Sequence, residues 1–173
     1  MKVILASASP RRKELLENMG VEFEIITSNI EEVRNEKLSL GKQIEDLAFQ
    51  KANAVFKTTT GDRLVIGSDT IVCLGKQIFG KPKNEAEGRE MLSSLSGKSH
   101  KVITGLCVLV ERNGVVTEYK NHHTAKIYFR KISSEEIDKY IKTNEYADKA
   151  GAYAIQGKSS LPFSATTRTP PRT

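Results

Sequence analysis

The sequence predicts an α/β fold built on a mixed β-sheet, and three observations lead there. Apolar, β-branched runs alternate with segments of helical periodicity along the chain. A strong hairpin signal, Asn113-Gly114 between two strand-like stretches, adds an antiparallel pair to whatever parallel pairing the alternation produces. The 173 residues suit one domain, or two lobes sharing a sheet, with enough chain to bury a real core.

Each element has a local reason. Lys2 to Ala6 reads as a short buried strand. Ser9 is a natural N-cap and Pro10 a natural first helical residue; Leu15, Leu16 and Met19 form an apolar stripe, and Gly20 stops the helix. Val21 to Thr27 alternates like a second strand, and the polar stretch Ser28 to Ser39 reads as a loop or lid. Leu40 to Lys57 is a helix by the recurrence of Ile44, Leu47, Ala48, Ala52 and Val55. Leu64 to Leu74 is a central strand, and Gly75-Lys76 turns it into a second one through Gln77, Ile78 and Phe79. Asn84 with Glu87 caps a helix to about Leu95, ended by Gly97. His100 to Glu111 and Val115 to Arg130 are the hairpin strands. Ser133 with Glu136 has the capping-box spacing for a helix to about Lys142.

Composition excludes several classes. The hydrophobic share of 38% and charged share of 28% are those of an ordinary globular protein. No apolar run approaches the roughly 18–20 residues that span a bilayer, and the run Val3 to Ala6 is too short for a signal peptide, so a cytoplasmic protein without membrane partners is expected. Cys73 and Cys107 lie in apolar strands without metal-type spacing and read as buried free thiols of a reducing compartment. The net charge of +6 admits anionic ligands, but the lysines are scattered and aromatics make up only 6%, which argues against a nucleic-acid surface.

Four features carry chemistry. The turn Ser7 to Arg12 joins a strand to a helix N-terminus, where free N–H groups and the positive dipole end suit phosphate; Ser7, Ser9, Arg11 and Arg12 crowd further donors there. An ordinary capped helix with surface arginines would read the same way. Asp69 interrupts the apolar run Leu64–Leu74, where an unpaired carboxylate is costly, so it needs a metal, a cation or a catalytic purpose unless backbone N–H groups at a strand end satisfy it. Lys51 falls between Leu47 and Val55 on the apolar face of its helix, and either snorkels to water or meets a buried partner. Gly80-Lys81-Pro82 is a rigid loop that fixes the direction of Lys81, as a phosphate clamp or as a plain turn. His122 and His123 are adjacent on a strand and face opposite ways, so they do not share a metal; with His100 they read as structural or surface residues.

Together these segments resemble the Maf family of nucleotide pyrophosphatases. The matching stretches are Leu5-Ala6-Ser7-Ala8-Ser9-Pro10-Arg11-Arg12, Glu31-Glu32, Leu47-Ala48 through Lys51-Ala52, Gly67-Ser68-Asp69-Thr70 and Gly80-Lys81-Pro82. Leu95-Ser96-Gly97 with His100 and Asp148 through Gly157 complete the series. The resemblance implies an elongated mixed sheet flanked by helices, with a central substrate cleft, related in architecture to the inosine triphosphate pyrophosphatases. It implies hydrolysis of dTTP and UTP to the monophosphate and pyrophosphate, with Mg²⁺ or Mn²⁺, by a cytoplasmic enzyme that pairs as a homodimer. On that basis Asp69 is the proton acceptor, Glu32 and Asp69 hold the metal, and Lys51 and Lys81 neutralise phosphates. Arg12, Thr70 and Gln156 match the positions that choose the substrate, and Ser7, Ser9 and Arg11 are expected among the substrate-binding residues. The family's link to septum formation gives a second reading, a nucleotide-binding regulator or inactive member that binds without releasing pyrophosphate. The resemblance covers residues 1–157. From Lys158 to Thr173 the chain is a Ser/Thr/Pro/Arg-rich stretch expected to be a disordered tail, its abrupt onset attributed to a change of reading frame.

Overall fold

The computed structural model describes residues 1–154; Gln156 and the expected tail lie outside the described residues. The chain is a mixed α/β fold. Its strands are β1 (Lys2–Leu5), β2 (Glu24–Ile25), β3 (Arg63–Leu74), β4 (Gln77–Phe79), β5 (Ser99–Arg112) and β6 (Val115–Tyr128). The helices are α1 (Pro10–Asn18), α2 (Leu40–Phe56), α3 (Glu85–Leu95) and α4 (Ser134–Ile141), followed by a short 3₁₀ turn at Ala150–Ala152. The sheet order is β2-β1-β3-β5-β6, with β4 pairing β3. By internal contacts the chain divides into two units. The first comprises Met1–Asp69 and Thr104–His123, and the second Thr70–Ile103 with the described residues from Thr124 onward.

In the first unit β1 pairs in parallel with β2 (Ile4 opposite Glu24) and with β3 (Leu5 opposite Ile66). Parallel neighbours need crossover connections, which α1 and α2 provide. Ile4, Ala6, Ala48, Ala52, Val55, Val65, Cys107 and Leu109 form the core. Two glycines let α2 lie close to the sheet: a Cβ on Gly67 would stand 2.2 Å from the Ala48 carbonyl oxygen, and one on Gly105 2.4 Å from that of Ile44. Arg63 is buried at the start of β3, where its guanidinium pairs with Glu111, donates to the Phe56 carbonyl at 3.1 Å and stacks over the Phe56 ring.

Two expectations are modified here. The apolar stripe Leu15, Leu16 and Met19 is present but packs little: α1 buries no residue, and Leu15 and Met19 are 62% and 72% exposed. Of the stripe only Leu16 is half-buried; Leu15 and Met19 face outward. The second strand shrinks to Glu24–Ile25, both exposed, because β2 is at the end of the sheet and pairs on one side only. The end of α1, by contrast, follows its glycine: Gly20 takes φ 70°, its N–H donates to Glu17 and that of Val21 to Leu16, a complete Schellman motif.

In the second unit β3 turns at Gly75-Lys76 into antiparallel β4, with Cys73 opposite Ile78. The Asn84 side chain accepts the Glu87 N–H at 2.9 Å to cap α3, and Ser133 and Glu136 form both halves of the capping box on α4. α3 and α4 pack together over a core that includes Leu92, Leu95, Ile127, Ile137 and Tyr140. His100 is buried among Phe129 and Tyr153, its Nε2 2.6 Å from the Tyr153 hydroxyl, while Nδ1 has no hydrogen-bond partner among the described residues. Burial pushes its pKa down to about 4. A group neutral in the fold but titrating near 6.5 when unfolded makes the unfolded chain bind more protons between those values. Stability is therefore full above about pH 6.5 and falls as pH drops towards 4, by about 3 kcal/mol from this residue alone. Urea unfolding of wild type and His100→Gln across that range checks this: the variant is expected to lose most of the slope.

Candidate functional site

The candidate site of the first unit is assembled where β1 and β3 lie side by side. Ser7 follows β1 and is buried; its hydroxyl oxygen accepts from Arg12 Nη1 at 2.8 Å and from the Ser9 N–H at 3.3 Å. Ser9 sits at the N-cap of α1 but makes no side-chain cap, and Pro10 opens the helix. Arg11 is exposed and Arg12 half-buried. The Arg12 pKa is lowered, chiefly by burial and also by Arg11, while Asp69 and Glu32 pull it upward. The guanidinium thus lies within the field of both carboxylates.

Asp69 does have a partner. Lys51 Nζ stands 2.5 Å from Asp69 Oδ1 and 3.0 Å from Glu32 Oε1, with the Lys51 and Asp69 side chains only 14% and 15% exposed. The lysine does not snorkel: its ammonium bridges two carboxylates. The geometry follows from the glycine two positions before Asp69. Strand alternation puts Gly67 and Asp69 on one face of β3, and the missing Cβ at Gly67 admits the Ala48–Ala52 turn of α2 that carries Lys51. Gly67→Ala is therefore expected to cost about 3 kcal/mol and to lower activity as Lys51 and Asp69 separate. Thermal unfolding, read beside turnover at a temperature where the variant is folded, checks both effects.

One residue went unnoticed in the sequence. Gln50, beside Lys51 on α2, accepts the Val33 N–H at 3.1 Å and donates to the Val33 carbonyl at 2.7 Å, fixing the loop that presents Glu32. A carboxamide can satisfy one peptide group in both directions, but no local pattern reveals a partner 17 residues away. His122 Nδ1 is 2.6 Å from the buried carboxylate of Glu45, which Lys42 also holds, and His123 is exposed.

Ser7, Ser9, Arg12, Glu32, Lys51 and Asp69 therefore gather in the first unit. Thr70 follows Asp69 on β3 and begins the second unit, to which the exposed Lys81, between Phe79 and Pro82, also belongs; Gln156 lies outside the described residues. Among the described residues no group of three or more His, Cys, Asp or Glu side chains is placed to hold a metal. Glu32 and Asp69 nonetheless fit a hard cation in one specific way. They are two carboxylates already shared by one positive charge, and Mg²⁺ is commonly held by one or two carboxylates, with substrate phosphates and water completing its shell. No described helix is long and apolar enough to cross a membrane.

Fold and site together define an α/β protein that sets a donor-rich strand–helix turn beside a lysine-bridged pair of carboxylates. The sequence profile of the Maf-like proteins matches residues 2–169, and the chain belongs to that family. Among its relatives, a protein of Alkaliphilus oremlandii named dTTP/UTP pyrophosphatase is 50% identical over 160 residues, which cover 92% of this chain and 82% of that protein. A Bacillus cereus protein of the same name is 49% identical, covering 92% and 81%. Among solved structures, the Mycobacterium abscessus nucleoside-triphosphatase / dITP/XTP pyrophosphatase is 17% identical with a TM-score of 0.46, covering 78% of this chain and 76% of that one. The HAM1 protein of Coxiella burnetii is 13% identical with a TM-score of 0.47, covering 75% and 73%.

Proposed function

We propose that this chain hydrolyses dTTP and UTP to the nucleoside monophosphate and pyrophosphate. The observation that carries the proposal is the Lys51 ammonium held between Asp69 and Glu32, close enough to Arg12 for both carboxylates to act on the guanidinium. Relatives about half identical over nearly the whole chain, named for that reaction, support it.

Phosphoryl transfer asks a protein mainly for positioning and for positive charge where oxygens become more negative. The donors of the Ser7–Arg12 turn receive the anionic substrate, with Ser7 holding the Arg12 guanidinium in place. Lys51 exchanges its carboxylate partners for phosphate oxygens, and Lys81 supplies a second cation. Released from Lys51, Asp69 orients the attacking water and takes its proton. Glu32 and Asp69 hold a divalent cation, Mg²⁺ or Mn²⁺, which when bound supplies further charge to the phosphates. Arg12, Thr70 and Gln156 set the base preference.

The test is turnover of dTTP, UTP, CTP, GTP and ATP with Mg²⁺, with Mn²⁺, and with metal removed by chelator. Hydrolysis of dTTP and UTP ahead of the others, abolished by chelation, is expected. Equal rates on every nucleotide would remove the base preference, and undiminished rates in chelator the metal.

A further inference from the structure

We propose, on the reading that Glu32 and Asp69 share a divalent cation, that Gln50 is a positioning residue: it keeps Glu32 in place for that cation after Lys51 has moved to the substrate phosphates. Glu32 sits in the loop between β2 and α2, where all of residues 31–39 are exposed and none belongs to a strand or helix. Val33 and Leu38 remain 66% and 38% exposed, so apolar burial does little to hold the loop down. The ion pair of Glu32 with Lys51 cannot hold it throughout, because the proposed reaction takes Lys51 away. A carboxylate on an unheld loop would have to be ordered each time it met a cation, at a cost in affinity.

Gln50 holds the loop without using charge. Its Oε1 accepts the Val33 N–H at 3.1 Å and its Nε2 donates to the Val33 carbonyl at 2.7 Å, so one carboxamide grips the backbone of the residue that follows Glu32. Asp46, one turn back on α2, accepts from the same Nε2 at 2.8 Å. A carboxylate only accepts, so Asp46 keeps the amide nitrogen on its own side and leaves Oε1 for the Val33 N–H. Gln43, two turns before Gln50 and so on the same face of α2, is buried and donates to the Leu38 carbonyl at 2.7 Å. The two glutamines thus pin the loop to α2 at Val33 and at Leu38. Gln50 makes the contact that borders Glu32, and it takes no part in the chemistry. Lys51 and Gln50 are neighbours on α2 acting on neighbouring loop residues: the charge is free to leave because the amide stays.

Two measurements on the full chain test this, neither of which needs turnover. Trypsin reads the loop at Arg34, the residue after Val33. Gln50→Leu is expected to speed cleavage there about tenfold and to leave the other sites unchanged, which also shows that the variant is folded. Lys51→Met is expected to leave the Arg34 rate close to that of wild type, since a partly exposed ion pair holds a loop weakly. Binding of Mn²⁺ without nucleotide, read by electron paramagnetic resonance of the free ion, is expected to weaken about tenfold in Gln50→Leu. In a Glu32→Gln background Gln50→Leu should weaken it no further, whereas a general structural role would weaken it in both. Cleavage at the wild-type rate, a Mn²⁺ affinity equal to that of wild type, or a loss just as large without Glu32 would each overturn the role of Gln50 alone. A wild type that binds no Mn²⁺ would overturn it together with the cation reading on which it rests.

Discussion

Replacing Asp69 with Asn is expected to lower pyrophosphate release by about 10²–10⁴-fold, the usual contribution of a positioned general base. The amide keeps the shape of the carboxylate and can still accept from the Lys51 ammonium, which also retains Glu32. Folding should therefore change little, by about 1 kcal/mol. A matched pair of measurements, turnover and thermal unfolding, separates chemistry from stability. A variant that turns over like wild type would show that Asp69 is only an ion-pair partner.

Replacing Lys51 with Met acts in the opposite sense on metal and on catalysis. Methionine fills the space along α2 but leaves Asp69 and Glu32 without the ammonium that bridges them. Loss of a preorganised cation at the phosphates is expected to lower turnover about 10²–10³-fold. The two carboxylates, no longer neutralised, should bind Mn²⁺ about tenfold more tightly in the absence of nucleotide, because the lysine competes for the same oxygens. Electron paramagnetic resonance of free Mn²⁺ reads this without any turnover. A Mn²⁺ affinity equal to that of wild type would mean that Lys51 and the cation do not share a site. A loss of both affinity and fold would mean that the ion pair is purely structural.

Both predictions rest on a juxtaposition that was half legible in the sequence. Asp69 in an apolar run and Lys51 on an apolar helix face each announce a residue out of place, because burying one charge alone is costly. That they answer each other is a tertiary fact: it depends on Gly67 admitting α2, and no periodicity reports how close a helix comes to a sheet. Local signals fared best. The Ser133–Glu136 capping box, the Asn84 cap and the turn at Asn113-Gly114 are fixed by a few consecutive residues, and the positive φ of Asn113 and Gly114 is what that dipeptide provides. The pairs Arg63–Glu111 and Glu45–His122 were invisible because their partners lie 48 and 77 residues apart. The α1 stripe shows the converse limit. Periodicity reveals an amphipathic face, and Leu15 and Met19 make one, but it does not say what covers that face.

The most direct test of the central claim is to identify the products of dTTP hydrolysis in ¹⁸O-labelled water. The account predicts dTMP and pyrophosphate in equal amounts, their release lost in Asp69→Asn. Formation of dTDP and orthophosphate, or no turnover by a protein shown to be folded, would contradict it.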